Sequence, residues 1–342
     1  MSKTIEQLEP RFREPEGWRW HTITRITESG DTRKIRVGSV FPNAADHDGR
    51  PPKAMLVCLP GLSEFGEKYF ETAQWALSKN LGFCVIDWVG QGLSSRYLGN
   101  PHKRHSAGFD EDLEDLDLWL QQYILRSAVI TDEGRLPLIM LGHSMGGNLG
   151  LRYLQQHPDI FRYAAFTAPM LGIYGLYLPD FVTRFLTCAL AKWKGENYVL
   201  GGKDWTLHPD VTDSSATLTS DPNRGSLHNV YSEAMEAARI GNVTYKWLNE
   251  AIKSCLIARK RKALESITIP TLFAVAEHEK LVINSHIKRT AKITPNARCI
   301  VMQGSKHEIL MEKDAIRDKF LNEFYTDIQE HIISSSESLK RF

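Results

Sequence analysis

A serine hydroxyl becomes a nucleophile when an imidazole can take its proton and a carboxylate holds that imidazole in place. In this chain the serine to examine is Ser144, in the stretch Gly142-His143-Ser144-Met145-Gly146. The apolar run "LPLIML" precedes it and a helically spaced pattern, "MGGNLGLRYLQQH", follows it. That is Gly-x-Ser-x-Gly in a strand–turn–helix context, where a strained turn lifts the hydroxyl above a sheet edge. The flanking glycines avoid side-chain clashes at the turn, and the first amides of the helix face the same point, where negative charge is welcome. The plain alternative is a Gly-rich connection carrying an ordinary serine.

Such a serine needs its partners in the chain order serine, acid, histidine. The acid belongs after a late strand, and "PTLFAVAEHEKLV" offers Glu277 and Glu279, with Glu279 preferred. The histidine belongs after the last strand, and "CIVMQGSKHEIL" offers His307. His278 competes for that role but follows the wrong strand. Acyl chemistry also needs two amide donors for an oxyanion. Met145, directly after the serine, supplies one. The loop Pro60-Gly61-Leu62 supplies the other, assigned to Leu62 because Gly61 leaves the backbone free to turn; a mere turn is the alternative.

The elements that must position these residues are legible as a rhythm. "RWHTITRI" and "KIRVGSVF" alternate around the turn Ser29-Gly30-Asp31, as half-buried strands do. "AMLVCLP", "GFCVIDW", "LPLIML", "RYAAFTAP", "ITIPTLFAVAE" and "ARCIVMQG" are short apolar or β-rich runs. Between them lie helical patterns over residues 67–79, 109–125, 145–157, 284–293 and 314–333. Strands that alternate with helices and are apolar on both faces predict an α/β fold with a mostly parallel sheet flanked by helices. The rhythm stops at Pro169 and resumes after Lys262. The expected organisation is therefore a core of residues 1–168 and 263–342 with an inserted helical cap over 169–262.

Composition narrows the function classes. The 342 residues carry a formal net charge of +1, so no global field favours nucleic acid. No apolar stretch is long enough to span a bilayer, and the N-terminal residues lack an apolar signal core. The five cysteines are scattered without a CxxC pair, which fits reduced thiols rather than a disulfide frame or a zinc site. We expect a cytoplasmic protein, with no metal and no cofactor, and with peripheral contact at the inner face of the membrane as an option.

These residues resemble the α/β-hydrolase superfamily, in the branch of monoacylglycerol lipases, bacterial lysophospholipases and serine-aminopeptidase-like enzymes. The resemblance rests on Gly142 to Gly147, on Asp87-x-x-Gly90-Gln91-Gly92-x-Ser94-x-Arg96 with Pro101, His102 and His105 beyond it, on "APMLGI", and on the closing "GSKHEILMEKD". It runs from about Leu56 to the last helix, more loosely in the cap. It implies an α/β-hydrolase fold and a serine ester hydrolase acting on lysophospholipid or monoacylglycerol through an acyl-enzyme, with Ser144, His307 and Glu279 in the catalytic roles. A proline-releasing aminopeptidase and a binding protein without chemistry are the alternatives. The chain departs from many relatives in having Pro60-Gly61 where they have His-Gly, and Ala276 and Glu279 where they have glycine and aspartate. Arg96, His102 and His105 read as braces for loops near the site. In the cap, Tyr174, Tyr177, Phe181 and Phe185 are candidates for the wall of an acyl-chain site, or else for packing between cap and core. The run Arg259-Lys260-Arg261-Lys262 reads as a solvated helix end, or as a patch for anionic head groups.

Overall fold

The computed structural model describes residues 4–125, 130–131, 134–175, 180–207 and 217–333. Its eight-stranded sheet is built from β1 (Arg19–Ile26), β2 (Thr32–Val40), β3 (Ala54–Leu59), β4 (Leu81–Ile86), β5 (Leu138–His143), β6 (Tyr163–Thr167), β7 (Thr271–Ala276) and β8 (Ala297–Met302). The spatial order is β1-β2-β4-β3-β5-β6-β7-β8. Only β1 with β2 and β2 with β4 pair antiparallel; the other pairings are parallel.

Burial follows the sequence pattern. Every residue of β3, β4, β5, β6 and β7 is buried, as continuous apolar runs in the middle of a covered parallel sheet must be. β1 stands at one edge with only Ile23 and Arg25 buried, and β8 closes the other edge with only Met302 buried.

Helices cover both faces. One face receives α2 (Phe109–Trp119), α3 (Ser144–Gln156), α6 (Tyr245–Ala258) and α8 (Asn284–Ile293); the other receives α1 (Phe70–Ser78), α5 (Pro222–Ala234) and α9 (Asp314–Ile328). The remaining α-helices among the described residues are α4 (Asp180–Lys194) and the short α7 (Arg261–Glu265).

The interval expected as an insertion, residues 169–262, thus does two things. In α6, Trp247, Ala251, Cys255 and Ala258 join one core cluster; in α5, Leu227, Val230 and Tyr231 join the other. α6 is further tied to α3 by the Arg152–Ser254 hydrogen bond of 3.1 Å. α4 alone among these helices buries only threonines, Thr183 and Thr187, and lies outside both clusters. No described helix is long and apolar enough to cross a membrane, and all five cysteines are free thiols.

Candidate active site

β5 ends at His143 and α3 begins at Ser144, whose φ is +48°. A non-glycine residue in the left-handed region costs about 1–3 kcal/mol, so its surroundings must hold it there. They do so by close packing. A Cβ on Gly146 would lie 2.1 Å from the Leu59 carbonyl oxygen, and one on Gly142 would lie 2.9 Å from the Cα of Gly147. The loop after β6 fastens the turn, with the Met170 amide donating to the Ser144 carbonyl at 2.9 Å.

His307, in the loop after β8, places Nε2 2.9 Å from Ser144 Oγ. Its Nδ1 lies 2.8 Å from Glu279 Oε2, in the loop after β7. The other oxygen of Glu279 accepts the amides of Lys280, Leu281 and Val282 at 2.9, 2.8 and 3.2 Å. With that carboxylate behind Nδ1, the neutral ring carries its proton there, and Nε2 is left to accept from the serine hydroxyl. Burial pulls the Glu279 carboxyl upward, but the hydrogen bond and charge of His307 and the Leu281 and Val282 amides outweigh it, and its pKa lies below the ordinary value.

The other candidates lie elsewhere. Glu277 turns away, accepting the Gly304 amide at 2.8 Å, and His278 has a side chain 61% exposed.

Leu62 lies in the cavity wall beside Ser144. Its neighbours' amides are engaged: Gly61 donates to Glu64 Oε2 at 2.5 Å and Ser63 to Gln91 Oε1 at 3.1 Å, while the Leu62 amide has no acceptor among the described residues. The Met145 amide is among the first of α3 and has no partner one turn back within the helix.

The reason for Gly61 differs from the expected one. It is Ser63, at φ +61°, that takes the left-handed turn. Gly61 provides room, since a Cβ there would meet Glu64 Oε2 at 2.9 Å, His143 Cδ2 at 3.0 Å and Ser144 Cβ at 3.3 Å.

A buried ionic cluster beneath this loop went unread in the sequence. Lys68 Nζ bridges Glu64 Oε1 at 2.7 Å and Glu308 Oε1 at 2.8 Å, and Tyr69 donates its hydroxyl to Glu64 Oε2 at 2.6 Å. Burial alone would raise the Glu64 carboxyl, but Lys68, His143 and the Tyr69 hydroxyl hold it well below the usual range. Burial would likewise lower Lys68, and the two carboxylates raise it instead. The spacing Glu64-x-x-x-Lys68 was the only signal, and on an exposed helix it would mean little.

Motif residues beyond the site act as braces. Gln91 donates to the carbonyls of Gly61 and Glu64 at 2.7 and 2.8 Å. Asp87 accepts the Gly66 amide at 2.8 Å and Arg36 Nε at 2.7 Å. Arg96 donates to the carbonyls of Gly92, Ser94 and Pro101 at 2.8, 2.9 and 3.1 Å. His105 Nδ1 lies 3.0 Å from Thr244 Oγ1, and the His102 carbonyl accepts the Gly241 amide at 2.8 Å. None of Arg96, His102 and His105 lines the cavity.

That cavity, of about 530 Å³, opens over Ser144 and His307. Met170, Ile173, Ile240, Val243, Trp247 and Leu248 give it apolar wall, and Glu64, Lys68, Asn229 and Glu308 add polar surface. Trp205 and Trp247 are aromatic members of that wall, but two of the expected cap residues are not. Phe181 and Phe185 are 77% and 73% exposed and line no part of the cavity. α4 turns its threonines inward, where Arg184 and Thr187 bond Asn249 of α6, so its phenylalanines face outward. Tyr174 is exposed next to the rim, with its amide bonded to the Leu281 carbonyl at 2.9 Å. Tyr177 lies outside the described residues. The basic run is partly committed internally: Arg259 bonds Asp180 at 3.1 Å, and Arg261 bonds Glu265 at 2.7 Å.

A sheet in this order, with its serine turn at the carboxyl end of the fifth strand and helices on both faces, is an α/β-hydrolase fold. The chain belongs to the family described as "Serine aminopeptidase, S33", whose model matches residues 50–314. It is similar to lysophospholipase L2 of Escherichia coli, 31% identical over 314 residues that cover 89% of this chain and 86% of that one. It is also similar to phospholipase YtpA of Bacillus subtilis, 30% identical over 273 residues, 77% of this chain and 91% of that one. The crystal structure of the monoacylglycerol lipase of Paleococcus ferrophilus superposes with a TM-score of 0.63 at 17% identity, over 87% of this chain and 98% of that one. With these relatives, the chain is a serine ester hydrolase.

Proposed function

We propose that this enzyme hydrolyses the ester of a single-chain lipid, a lysophospholipid or a monoacylglycerol, through a covalent acyl-enzyme. Ser144 Oγ attacks the ester carbonyl carbon while His307 Nε2 takes its proton. The tetrahedral oxyanion is held by the Leu62 and Met145 amides. As the intermediate collapses, His307 returns the proton to the departing alcohol oxygen. Water, giving a proton to the same nitrogen, then attacks the acyl carbon; the bond from that carbon to Ser144 Oγ breaks, Oγ takes the proton back from His307, and the fatty acid is released. Glu279 keeps the imidazole in the required tautomer and stabilises the imidazolium as it forms. The observation that carries this reading is the unbroken chain Ser144 Oγ–His307 Nε2 at 2.9 Å and His307 Nδ1–Glu279 Oε2 at 2.8 Å, set on a turn with positive φ.

The substrate class is supported by the mixed cavity wall and by the names of the relatives. An aminopeptidase would need a carboxylate free to receive a substrate ammonium. Among the described residues the two acids lining the cavity, Glu64 and Glu308, are both bonded to Lys68. That argues for the ester reading.

The test is parallel turnover of lysophosphatidylcholine, a monoacylglycerol and a proline naphthylamide, with Ser144→Ala as the blank. We expect fatty acid from the first two and no naphthylamine. Cleavage of the naphthylamide alone would overturn the proposal.

A further inference from the structure

Arg104 lies in the connection between β4 and α2 and is among the largest side chains of the fold with no solvent exposure. Taking a guanidinium out of water is costly unless its donors and its charge are met. Here no carboxylate bonds it among the described residues. Nε donates to Gln91 Oε1 at 3.0 Å, Nη1 to the His105 carbonyl, and Nη2 to Met145 Sδ at 3.8 Å. Gly90, at φ +92°, makes the room, since a Cβ there would lie 2.5 Å from Nη1. The contacts of this buried cation lead to both sides of the oxyanion site.

One side is reached through Gln91, itself fully buried. Its Oε1 accepts Arg104 Nε and the Ser63 amide, at 3.0 and 3.1 Å, and its Nε2 donates to the carbonyls of Gly61 and Glu64, at 2.7 and 2.8 Å. Arginine can only donate. Its bond therefore keeps Oε1 on its own side and turns both amide hydrogens toward the loop after β3. In that loop the Gly61 amide is spent on Glu64 and the Ser63 amide on Gln91, and the Leu62 amide lies between them. The other side is reached through Met145, whose buried side chain meets Nη2 and whose amide is the second oxyanion donor.

The backbone of Arg104 has a separate task. Its amide donates to the Asn242 carbonyl at 3.2 Å and its carbonyl accepts the Thr244 amide at 3.0 Å. Those bonds fasten the cavity wall at Asn242 and Val243, and a change of side chain leaves them in place.

We propose that Arg104, acting through Gln91 and Met145, is a positioning residue that sets the spacing of the two oxyanion donors, the Leu62 and Met145 amides. Neither Arg104 nor Gln91 lines the cavity, so neither touches substrate. The inference rests on the acyl-transfer reading of Ser144. Donors preorganised for an oxyanion act on the transition state and not on the ground state, so the loss on disturbing them falls on the tetrahedral species.

The test uses Gln91→Glu and Arg104→Met in the full chain. Gln91→Glu keeps the shape and still accepts from Arg104 and Ser63, but it cannot donate to Gly61 and Glu64. Arg104→Met fills the space without the donors. It also takes away the cation that acts on Asp112, a fully buried carboxyl whose oxygens have no hydrogen-bond partner among the described residues. Gln91→Glu therefore carries the test if Arg104→Met does not fold. In each folded variant kcat/KM for p-nitrophenyl butyrate should fall at least about tenfold, short of the roughly 10²–10³-fold cost of deleting a donor outright. The inhibition constant of an alkyl trifluoromethyl ketone, which adds to Ser144 as a hemiketal oxyanion, should rise by a similar factor. That of the alcohol of the same chain length, which has no carbonyl, should not change. Wild-type kcat/KM in Gln91→Glu would overturn the proposal. So would equal weakening of both inhibitors, which is the mark of bonds that merely shape the cavity. Ser144→Ala, run alongside, separates the two readings: if it turns over ester, the acyl-transfer reading falls, and if it is dead while Gln91→Glu is normal, only the positioning role falls.

Discussion

Ser144, His307 and Glu279 come from three loops at the carboxyl ends of β5, β8 and β7, so their contact is the product of the whole sheet rather than of any local motif. At this scale Glu279 and Glu277 differ in direction. One carboxylate faces the imidazole with its second oxygen saturated by three amides; the other faces the Gly304 amide at the surface. Replacing Glu279 with glutamine keeps the shape but removes the charge that orients the ring, and kcat for a short ester should fall by up to about 10⁴-fold with KM little moved. Glu277→Gln should leave both constants unchanged. Steady-state kinetics of the two variants side by side checks the assignment, and loss of activity in the Glu277 variant instead would reverse it.

At the scale of elements, the loop after β3 and the loop after β8 are joined by one buried cation. Glu64 belongs to the first loop and pins Gly61, Glu308 adjoins His307 in the second, and Lys68 bonds both. Lys68→Met leaves two buried carboxylates without their counter-ion and should destabilise the fold by about 3–5 kcal/mol near neutrality, read from urea midpoints. The pH dependence follows from the directions of the shifts. Glu64 is depressed when folded, so its stabilisation is present above the unfolded carboxylate value of about 4.3 and is lost as pH falls through its lower folded value. Lys68 is raised, so its contribution is present below the unfolded value of about 10.4 and is lost as pH climbs through the folded one. In the variant the carboxylates are relieved by protonation, so its deficit against wild type should shrink on acidification. Equal midpoints at neutral pH would show that the cluster holds nothing together.

Across the whole molecule, what the sequence made legible was what repeats or what chemistry demands in order. β3 to β7 stand out because a covered strand is apolar on both faces, and the serine turn and histidine follow from fixed places in that alternation. Three features were hidden for physical reasons. α5 and α6 lie in an aromatic-rich interval whose periodicity shows a face without saying which body it meets. Phe181 and Phe185 share an apolar arc that reads equally well as inward or outward. Glu64, Lys68 and Glu308 look like surface charges until the fold buries them together.

The account stands on one covalent event, transfer of an acyl group to Ser144. Acid-quenching the wild type during turnover of a p-nitrophenyl ester, followed by peptide mapping by mass spectrometry, reads that event directly. We predict an added acyl mass on the peptide containing Ser144, and neither adduct nor p-nitrophenol release from Ser144→Ala. An acyl group on a different residue, or a Ser144→Ala enzyme that turns over like wild type, would contradict it.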